Sequence, residues 1–321
     1  MNYYNDISDL IGRTPLVRIN KVNPFPDITI LAKLEQFNPG GSVKDRIARS
    51  LIEDAEKRGL LNSDKTIIES TSGNTGIGIA MLCALKRYQC ELVMPESMSI
   101  ERRKIMMAYG AKVILTPAEE GTDGARNYVK RRLAEDPERY FSPNQYDNPA
   151  NWKAHYETTA QEIFEDTDGK ITHFVAGLGT SGTLMGVARG LKERISEVQI
   201  VSVEPKPNSF IQGMRDLCTQ TVPKIFRESL LDERIHVSDI DAERTAKALG
   251  FLEGVFSGLS SGAAMFGALE VARALSESDY KDALIVVLLA DSGERYISKS
   301  QYSLTIEAEQ AHSFPAELLI T

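Results

Sequence analysis

The sequence predicts a doubly wound α/β fold. Strand-like runs alternate with helix-like segments along most of the chain, and most of those runs are continuously apolar. A continuous apolar strand belongs to a sheet covered on both faces; a half-exposed strand would alternate. With 321 residues the chain is also long enough for two such domains.

In chain order the candidate strands are 28–34, 66–69, 90–94, 112–115, 173–176, 198–203 and 283–290. The last, from Ala283 to Ala290, is the longest unbroken apolar run at eight residues. It suits a buried strand, since a membrane helix needs about 20. Apolar residues recur at helical spacing over 43–59, 76–88, 100–109, 122–134, 152–166, 183–192 and 261–275. Residues 204–240 lose this alternation and read as a long surface segment. Asn144 to Asn151 is the best turn-rich boundary near the middle, and 301–321 reads as an appended tail.

Composition excludes several classes. The formal charge of −8 argues against a nucleic-acid surface, which needs a basic face. The short basic clusters Arg102-Arg103-Lys104 and Lys130-Arg131-Arg132 read as solvated helix faces. Cys83, Cys90 and Cys218 make no zinc spacing and no disulfide framework, which points to a reducing compartment. The four histidines fall in no metal-ligand spacing. The N-terminus carries acidic residues and no apolar core of a signal peptide, so a cytoplasmic location is expected.

Four loops rich in glycine and hydroxyl residues stand out, most of them opening a helix. A helix N-terminus presents unpaired N–H groups and the positive end of the helix dipole. In the first loop, Asn38-Pro39-Gly40-Gly41-Ser42-Val43-Lys44-Asp45-Arg46, Lys44 falls in a first turn, which favours anions. It is either a surface lysine beside a capping serine or an amine held to meet a carbonyl carbon. The second loop, Glu69-Ser70-Thr71-Ser72-Gly73-Asn74-Thr75-Gly76, is a nest of donors suited to a carboxylate; a plain cap by Ser72 or Asn74 is the alternative.

The third loop, Gly177-Leu178-Gly179-Thr180-Ser181-Gly182-Thr183, matches GxGxxG, and Glu204 ends the next strand. Alone it reads as a dinucleotide fingerprint and an NAD-dependent dehydrogenase. The hydroxyls of Thr180, Ser181 and Thr183 suit a terminal phosphate monoester better. The fourth, Gly258-Leu259-Ser260-Ser261-Gly262, matches the GxSxG elbow of hydrolases. Only His312 follows it, in the tail, so either a helix cap or a serine pointing into a site fits better.

Together NPGGSVKDR, ESTSGNTG, AGLGTSGT and GLSSGAA resemble, in this order, the cysteine synthase (O-acetylserine sulfhydrylase) family of fold-type II pyridoxal-phosphate (PLP) enzymes. The likeness runs from IGRTPL at Ile11 to GERYIS at Ser298. It implies a tryptophan synthase β-like fold with PLP in the cleft between two doubly wound domains. The smaller, mobile domain would span 35–148, and the larger 1–34 with 149–300. By position it implies that Lys44 forms the Schiff base with PLP and acts as general base, and that Asn74 binds the cofactor's ring oxygen. Thr71, Ser72, Gly73 and Thr75, with Gln145 of NQYDNP, would grip the substrate carboxylate. Gly179, Thr180, Ser181, Gly182 and Thr183 would cradle the phosphate, and Ser260 would face the pyridine nitrogen.

The implied reaction replaces the β-substituent of O-acetyl-L-serine, or of O-phospho-L-serine, with sulfide. MPESMSIERRKIMMAYGA and THFVAGLGTSGTLMG look closer to the B-type enzymes, in which an arginine after the phosphate loop favours larger or phosphorylated substrates. Arg215 is the candidate here, with a surface arginine as the alternative. The family also implies a homodimer and a possible serine acetyltransferase partner. The chain is too short for the extensions common in cystathionine β-synthases, and Asn74-Thr75-Gly76 departs from the dehydratase pattern.

Overall fold

The computed structural model describes residues 1, 3–218, 220–278, 280 and 282–297. Ser298, His312 and the expected tail at 301–321 lie outside them. Among the described residues the strands are β1 (Leu16–Arg18), β2 (Thr29–Leu34), β3 (Thr66–Ser70), β4 (Gln89–Pro95), β5 (Lys112–Thr116), β6 (Tyr140–Phe141), β7 (His173–Gly177), β8 (Gln199–Pro205), β9 (Glu233–Val237) and β10 (Leu284–Leu289). The α-helices are α1 (Lys44–Lys57), α2 (Asn74–Lys86), α3 (Ile100–Ala108), α4 (Gly121–Glu135), α5 (Ala150–Ala154), α6 (Ala160–Asp166), α7 (Gly182–Lys192), α8 (Asp239–Glu253) and α9 (Leu259–Ser276). A π-helical turn, His155–Thr159, interrupts the helical run between α5 and α6.

The chain divides into two compact units, the first Met1–Ile11 with Asn38–Ala154 and the second Gly12–Phe37 with His155 onward. The expected boundaries at 35 and 148 stand at 38 and 154 in this division. The first eleven residues group with the first unit, whereas the sequence reading put them with the larger domain. The reason is packing: Ile11 is buried in the core formed by α1 and α2, and Arg49 Nη1 donates to the Ser8 carbonyl at 3.1 Å.

In the first unit four parallel strands run in the order β5-β4-β3-β6. Adjacent strand residues face opposite sides. Ile67 and Leu92 pack with Ile52, Ile77, Ile79 and Leu82 of α1 and α2. Ile68 and Val93 pack with Ala125 and Val129 of α4. Both faces are covered, which is why these strands read as continuous apolar runs.

The second unit has a six-stranded sheet in the order β1-β2-β10-β7-β8-β9. All neighbours pair in parallel except β1 with β2. Ile30, Val175, Val201, Val203, Val287 and Leu289 form its core with Ala263 and Ala268 of α9. Full burial of such a side chain contributes about 1.5–3 kcal/mol.

The seven strands and most of the helices expected from sequence are present. The segment 204–240 departs from expectation. It carries the end of β8 and all of β9, and Ile211, Met214 and Ile225 are buried, so it is not a purely surface excursion. β9 escaped notice because its sequence, ERIHV, is charged and mostly solvent-facing, as an edge strand is. The basic cluster on α3 also departs: Arg102 is buried and donates to the Ser72 carbonyl at 3.5 Å.

Close helix packing in the second unit rests on Gly262. A Cβ there would lie 2.1 Å from the Ala242 carbonyl oxygen and 2.7 Å from the Ala246 nitrogen, both backbone atoms of α8. Gly250, inside α8, has nothing within 4 Å of its Cβ position. Gly262→Ala is therefore expected to destabilise by about 1–3 kcal/mol through overpacking. Gly250→Ala should stabilise by about 0.5–1 kcal/mol. Urea unfolding of both variants checks the pair; equal effects would contradict the packing described.

Candidate active site

In the first unit the sharp turn before α1 is built by glycine. Gly41 takes φ 77° and donates to the Asn38 carbonyl at 2.7 Å. Gly40 N donates to Asp45 Oδ2 at 2.6 Å, and a Cβ on Gly40 would strike that carboxylate. Lys44 is the first helical residue and half-buried, and its backbone N–H donates to Ser42 Oγ at 3.2 Å. Ser42 thus stands beside Lys44 as the bland reading expects, but the N-cap of α1 is Val43 with no side-chain cap, and Lys44 is half-buried rather than on an open surface.

The turn that opens α2 lies against this one. A Cβ on Gly78 would be 3.0 Å from Ala48 Cβ, 3.2 Å from Asp45 Oδ1 and 3.3 Å from the Lys44 carbonyl oxygen. Glycine at 78 lets the first turns of α1 and α2 touch, which brings Lys44 and the TSGNT loop together in one unit. The N-cap of α2 is Gly73, with no side-chain cap. The plain-cap reading of Ser72 or Asn74 therefore fails, and the start of α2 carries no side-chain acceptor of its own.

Thr75 Oγ1 donates to Gln145 Oε1 at 2.8 Å, and both residues are buried. Asn151 Nδ2 donates to the Gln145 carbonyl at 2.6 Å. Glu69, at the end of β3, holds this segment: its carboxylate accepts from Ser142 Oγ at 2.8 Å, Asn144 N at 3.2 Å and Gln145 N at 3.4 Å. Thr71, Ser72, Gly73, Asn74, Thr75 and Gln145 thus converge beside the α2 N-terminus. Glu69 was visible in its motif, but its role as a clamp was not.

In the second unit the loop after β7 is the crowded one. A Cβ on Gly179 would lie 2.6 Å from the Gly213 carbonyl oxygen, so that position requires glycine. Arg215 N donates to the Leu178 carbonyl at 2.7 Å, which sets the 211–215 segment against the same loop. The Arg215 side chain is half-buried, with Nη1 donating to the Thr221 carbonyl at 3.3 Å.

Ser181 precedes α7 with φ 69° and is 3% exposed, and its hydroxyl has no hydrogen-bond partner. An unmet buried hydroxyl costs about 1–3 kcal/mol. At an α7 N-terminus without a side-chain cap, flanked by Thr180 and Thr183, a phosphate monoester would meet that need. The residues fit a PLP phosphate.

Ser260 stands in the first turn of α9 and is half-buried. Its neighbour Ser261 accepts from Ala290 N at 2.9 Å, tying this turn to the carboxyl end of β10. Gly258 N donates to the Asp291 carbonyl at 3.0 Å, and Tyr296 OH donates to Asp291 Oδ2 at 2.6 Å.

The family described as "Pyridoxal-phosphate dependent enzyme" matches residues 7–291. A cysteine synthase of Aquifex aeolicus is 46% identical over 301 residues, covering 92% of each chain. Cysteine synthase B of Escherichia coli is 44% identical over 292 residues, covering 91% of this chain and 94% of its own. The crystal structure of a cysteine synthase from Entamoeba histolytica superposes with a TM-score of 0.91 at 38% identity, covering 99% of this chain and 96% of that one. The chain belongs to the pyridoxal-phosphate dependent enzymes of fold-type II and, within them, to the cysteine synthase family, with B-type enzymes among its relatives.

The dehydrogenase alternative finds no support. The family uses PLP. Glu204, the acid a dinucleotide fingerprint would set on a ribose hydroxyl, is fully buried and held by Arg234 Nε at 2.7 Å and Nη2 at 2.8 Å. Among the described residues no cluster could hold a metal ion, and no helix is long and apolar enough to cross a membrane.

Burial pushes the Glu69 carboxyl above its ordinary value, against the pull of the Ser142 hydroxyl, the two amides and the Arg126 charge. The folded chain therefore holds that proton more tightly than the unfolded chain, whose value is about 4.3. The resulting stabilisation is present below that value and is lost as pH rises through the folded one. Wild type should lose stability relative to Glu69→Gln across that rise. Urea midpoints at successive pH values check this, and a difference flat with pH would contradict it.

Proposed function

We propose that this chain replaces the β-substituent of an activated L-serine with sulfide, giving L-cysteine. O-acetyl-L-serine is the first substrate, releasing acetate, and O-phospho-L-serine the second, releasing phosphate. The observation that carries the reading is the meeting of two first turns at Gly78, which sets the Lys44 helix beside a capless donor loop in one rigid pair.

Bound PLP supplies an electron sink for the pair left on the substrate Cα. Lys44 is the amine that would carry the cofactor, and in turnover it removes the Cα proton and later returns it as a general base and acid. Asn74 would donate its amide to the cofactor's ring oxygen. The backbone of Gly73 and the hydroxyls of Thr71, Ser72 and Thr75 would orient the substrate carboxylate, with Gln145 fixed for the task by Glu69 and Asn151. A closed donor loop keeps water from the reacting carbons.

The phosphate belongs to Gly179, Thr180, Ser181, Gly182 and Thr183. Ser260 would face the pyridine nitrogen. A serine hydroxyl withdraws electrons less than an acidic partner would, which favours prompt loss of the β-substituent over transamination. Homodimerisation, a serine acetyltransferase partner and a cytoplasmic location come with the family resemblance and complete the proposal.

Arg215 is the specificity candidate, because its backbone is bonded to the Leu178 carbonyl beside the phosphate cradle. A charged hydrogen bond contributes about 1.5–3 kcal/mol. Arg215→Ala should then lower kcat/KM for O-phosphoserine by about 10- to 100-fold and leave O-acetylserine within about threefold. Steady-state kinetics of cysteine formation tests both statements. Equal losses on the two substrates would remove Arg215, and no cysteine from either with the wild type would overturn the proposed reaction.

A further inference from the structure

Asp291 is fully buried just beyond the end of β10, and no step described above uses its side chain. Its Oδ2 accepts from Tyr296 OH at 2.6 Å, and Tyr296 is buried too. That bond fixes one carboxylate oxygen. The other, Oδ1, is aimed at the opening of α9, where a Cβ on Gly258 would strike it. Gly258 is the N-cap of α9, and Ser260 follows in the first turn. All of these residues belong to the second unit.

The backbone holds this approach in place. Gly258 N donates to the Asp291 carbonyl at 3.0 Å, and Gly293 N donates to the Phe256 carbonyl at 3.3 Å. Ser257 and Ser292 form an antiparallel bridge, and Ala290 N donates to Ser261 Oγ at 2.9 Å. Residues 290–293 therefore lie along 256–261. Tyr296 Cε2 stands 2.9 Å from the same Cβ position on Gly258, so acid and ring together exclude a side chain there. A serine or asparagine at 258 would cap α9 from within its own loop. The fold instead has glycine at that position and brings an acid to it from another segment, at the helix end that favours a negative group.

We propose that Asp291 is a positioning residue for the pyridine-nitrogen subsite, acting through Ser260. The proposal rests on reading Ser260 as the hydroxyl that faces that nitrogen. A hydroxyl there can donate to a bare nitrogen or accept from a protonated one. Ser260 lies two residues beyond Gly258, about 3 Å further along the helix axis. A carboxylate held behind that turn makes the potential at the serine oxygen more negative, which favours the accepting arrangement. The ring nitrogen then holds a proton more tightly than against a serine alone, and less tightly than against a carboxylate in direct contact. The Tyr296 hydrogen bond keeps the carboxylate turned toward the start of α9, and so forms part of the same device.

The test uses holoenzyme carrying PLP labelled with 15N in its ring, and the readout is the chemical shift of that nitrogen. A bare pyridine nitrogen resonates well downfield of a protonated one. Asp291→Asn, which keeps the shape and removes the acid, should move the resonance downfield. Tyr296→Phe, which releases the carboxylate from its anchor, should move it the same way by less. Ser260→Ala should move it as well, and in that background Asp291→Asn should add less than about half of its effect in the wild type, because the two act in one row. An unmoved resonance in Asp291→Asn, or effects that add in full, would overturn the role of Asp291 while leaving Ser260 standing. An unmoved resonance in Ser260→Ala would overturn the reading of Ser260, and this proposal with it. Should Asp291→Asn not fold, Tyr296→Phe decides: a downfield shift supports the proposal and an unmoved resonance overturns it. An acid that serves the fold alone would lower the urea midpoint in both variants and leave the ring nitrogen where it was.

Discussion

In a parallel sheet every strand points its carboxyl end to the same edge, and the chain must cross back, usually by a helix, before the next strand begins. Helices that follow such strands therefore start at that edge, with their N–H groups and positive dipole ends gathered there. Both units obey this constraint. In the first, α2 starts just beyond β3, and in the second α7 starts just beyond β7, while Ser261 ties the start of α9 to the end of β10. The proposed site uses three such ends that have no side-chain cap. α2, α7 and α9 all lack one, whereas α3 and α8 are capped by Ser99 and Ser238.

Glycine does a second task in this arrangement, setting how near two elements stand. Gly78 brings α1 against α2, Gly179 brings the β7 loop against Gly213, and Gly262 brings α9 against α8. In each case the nearest neighbours include backbone atoms, which yield less readily than a flexible side chain. The polar interior is held in the same strict way. Lys33 is fully buried, with its ammonium on the Thr14 carbonyl at 2.7 Å, Glu162 at 2.9 Å and Asp166 at 3.2 Å. Glu204 has Arg234 and Ser202, and Glu35 has the Thr14 hydroxyl at 2.6 Å. Pairing and hydrogen bonding lower the cost of burying such charges.

Much of the fold was legible because a strand covered on both faces must be apolar throughout, and such runs stand out in a sequence. β1, β6 and β9 did not, since the first two have three residues or fewer and the third carries charges on an edge. α8 was missed because alanines and charges alternate along it without a marked apolar stripe. The site divides similarly. Lys44, Asn74, the 179–183 loop and Ser260 sit in glycine- and hydroxyl-rich turns that few other tasks require. Gln145 rests on family resemblance alone. Glu69 and Arg102 act through tertiary contacts: a clamp on a distant loop and a guanidinium on the Ser72 carbonyl. No local pattern announces a partner more than twenty residues away.

Two lysines contend for a covalent role by burial alone, and their surroundings separate them. Lys33 is committed to two carboxylates and a carbonyl, which hold its amine away from any other partner. Lys44 is half-buried in the first turn of α1, against the turn that opens α2, and is the amine placed to meet a carbonyl carbon there. Borohydride reduction of the purified holoenzyme, followed by proteolysis and mass spectrometry of the peptides, tests that assignment directly. The account predicts a stable phosphopyridoxyl mass on the peptide holding Lys44 and none on the peptide holding Lys33. A label on any other lysine, or reduced cofactor that is released entirely when the protein is denatured, would contradict it.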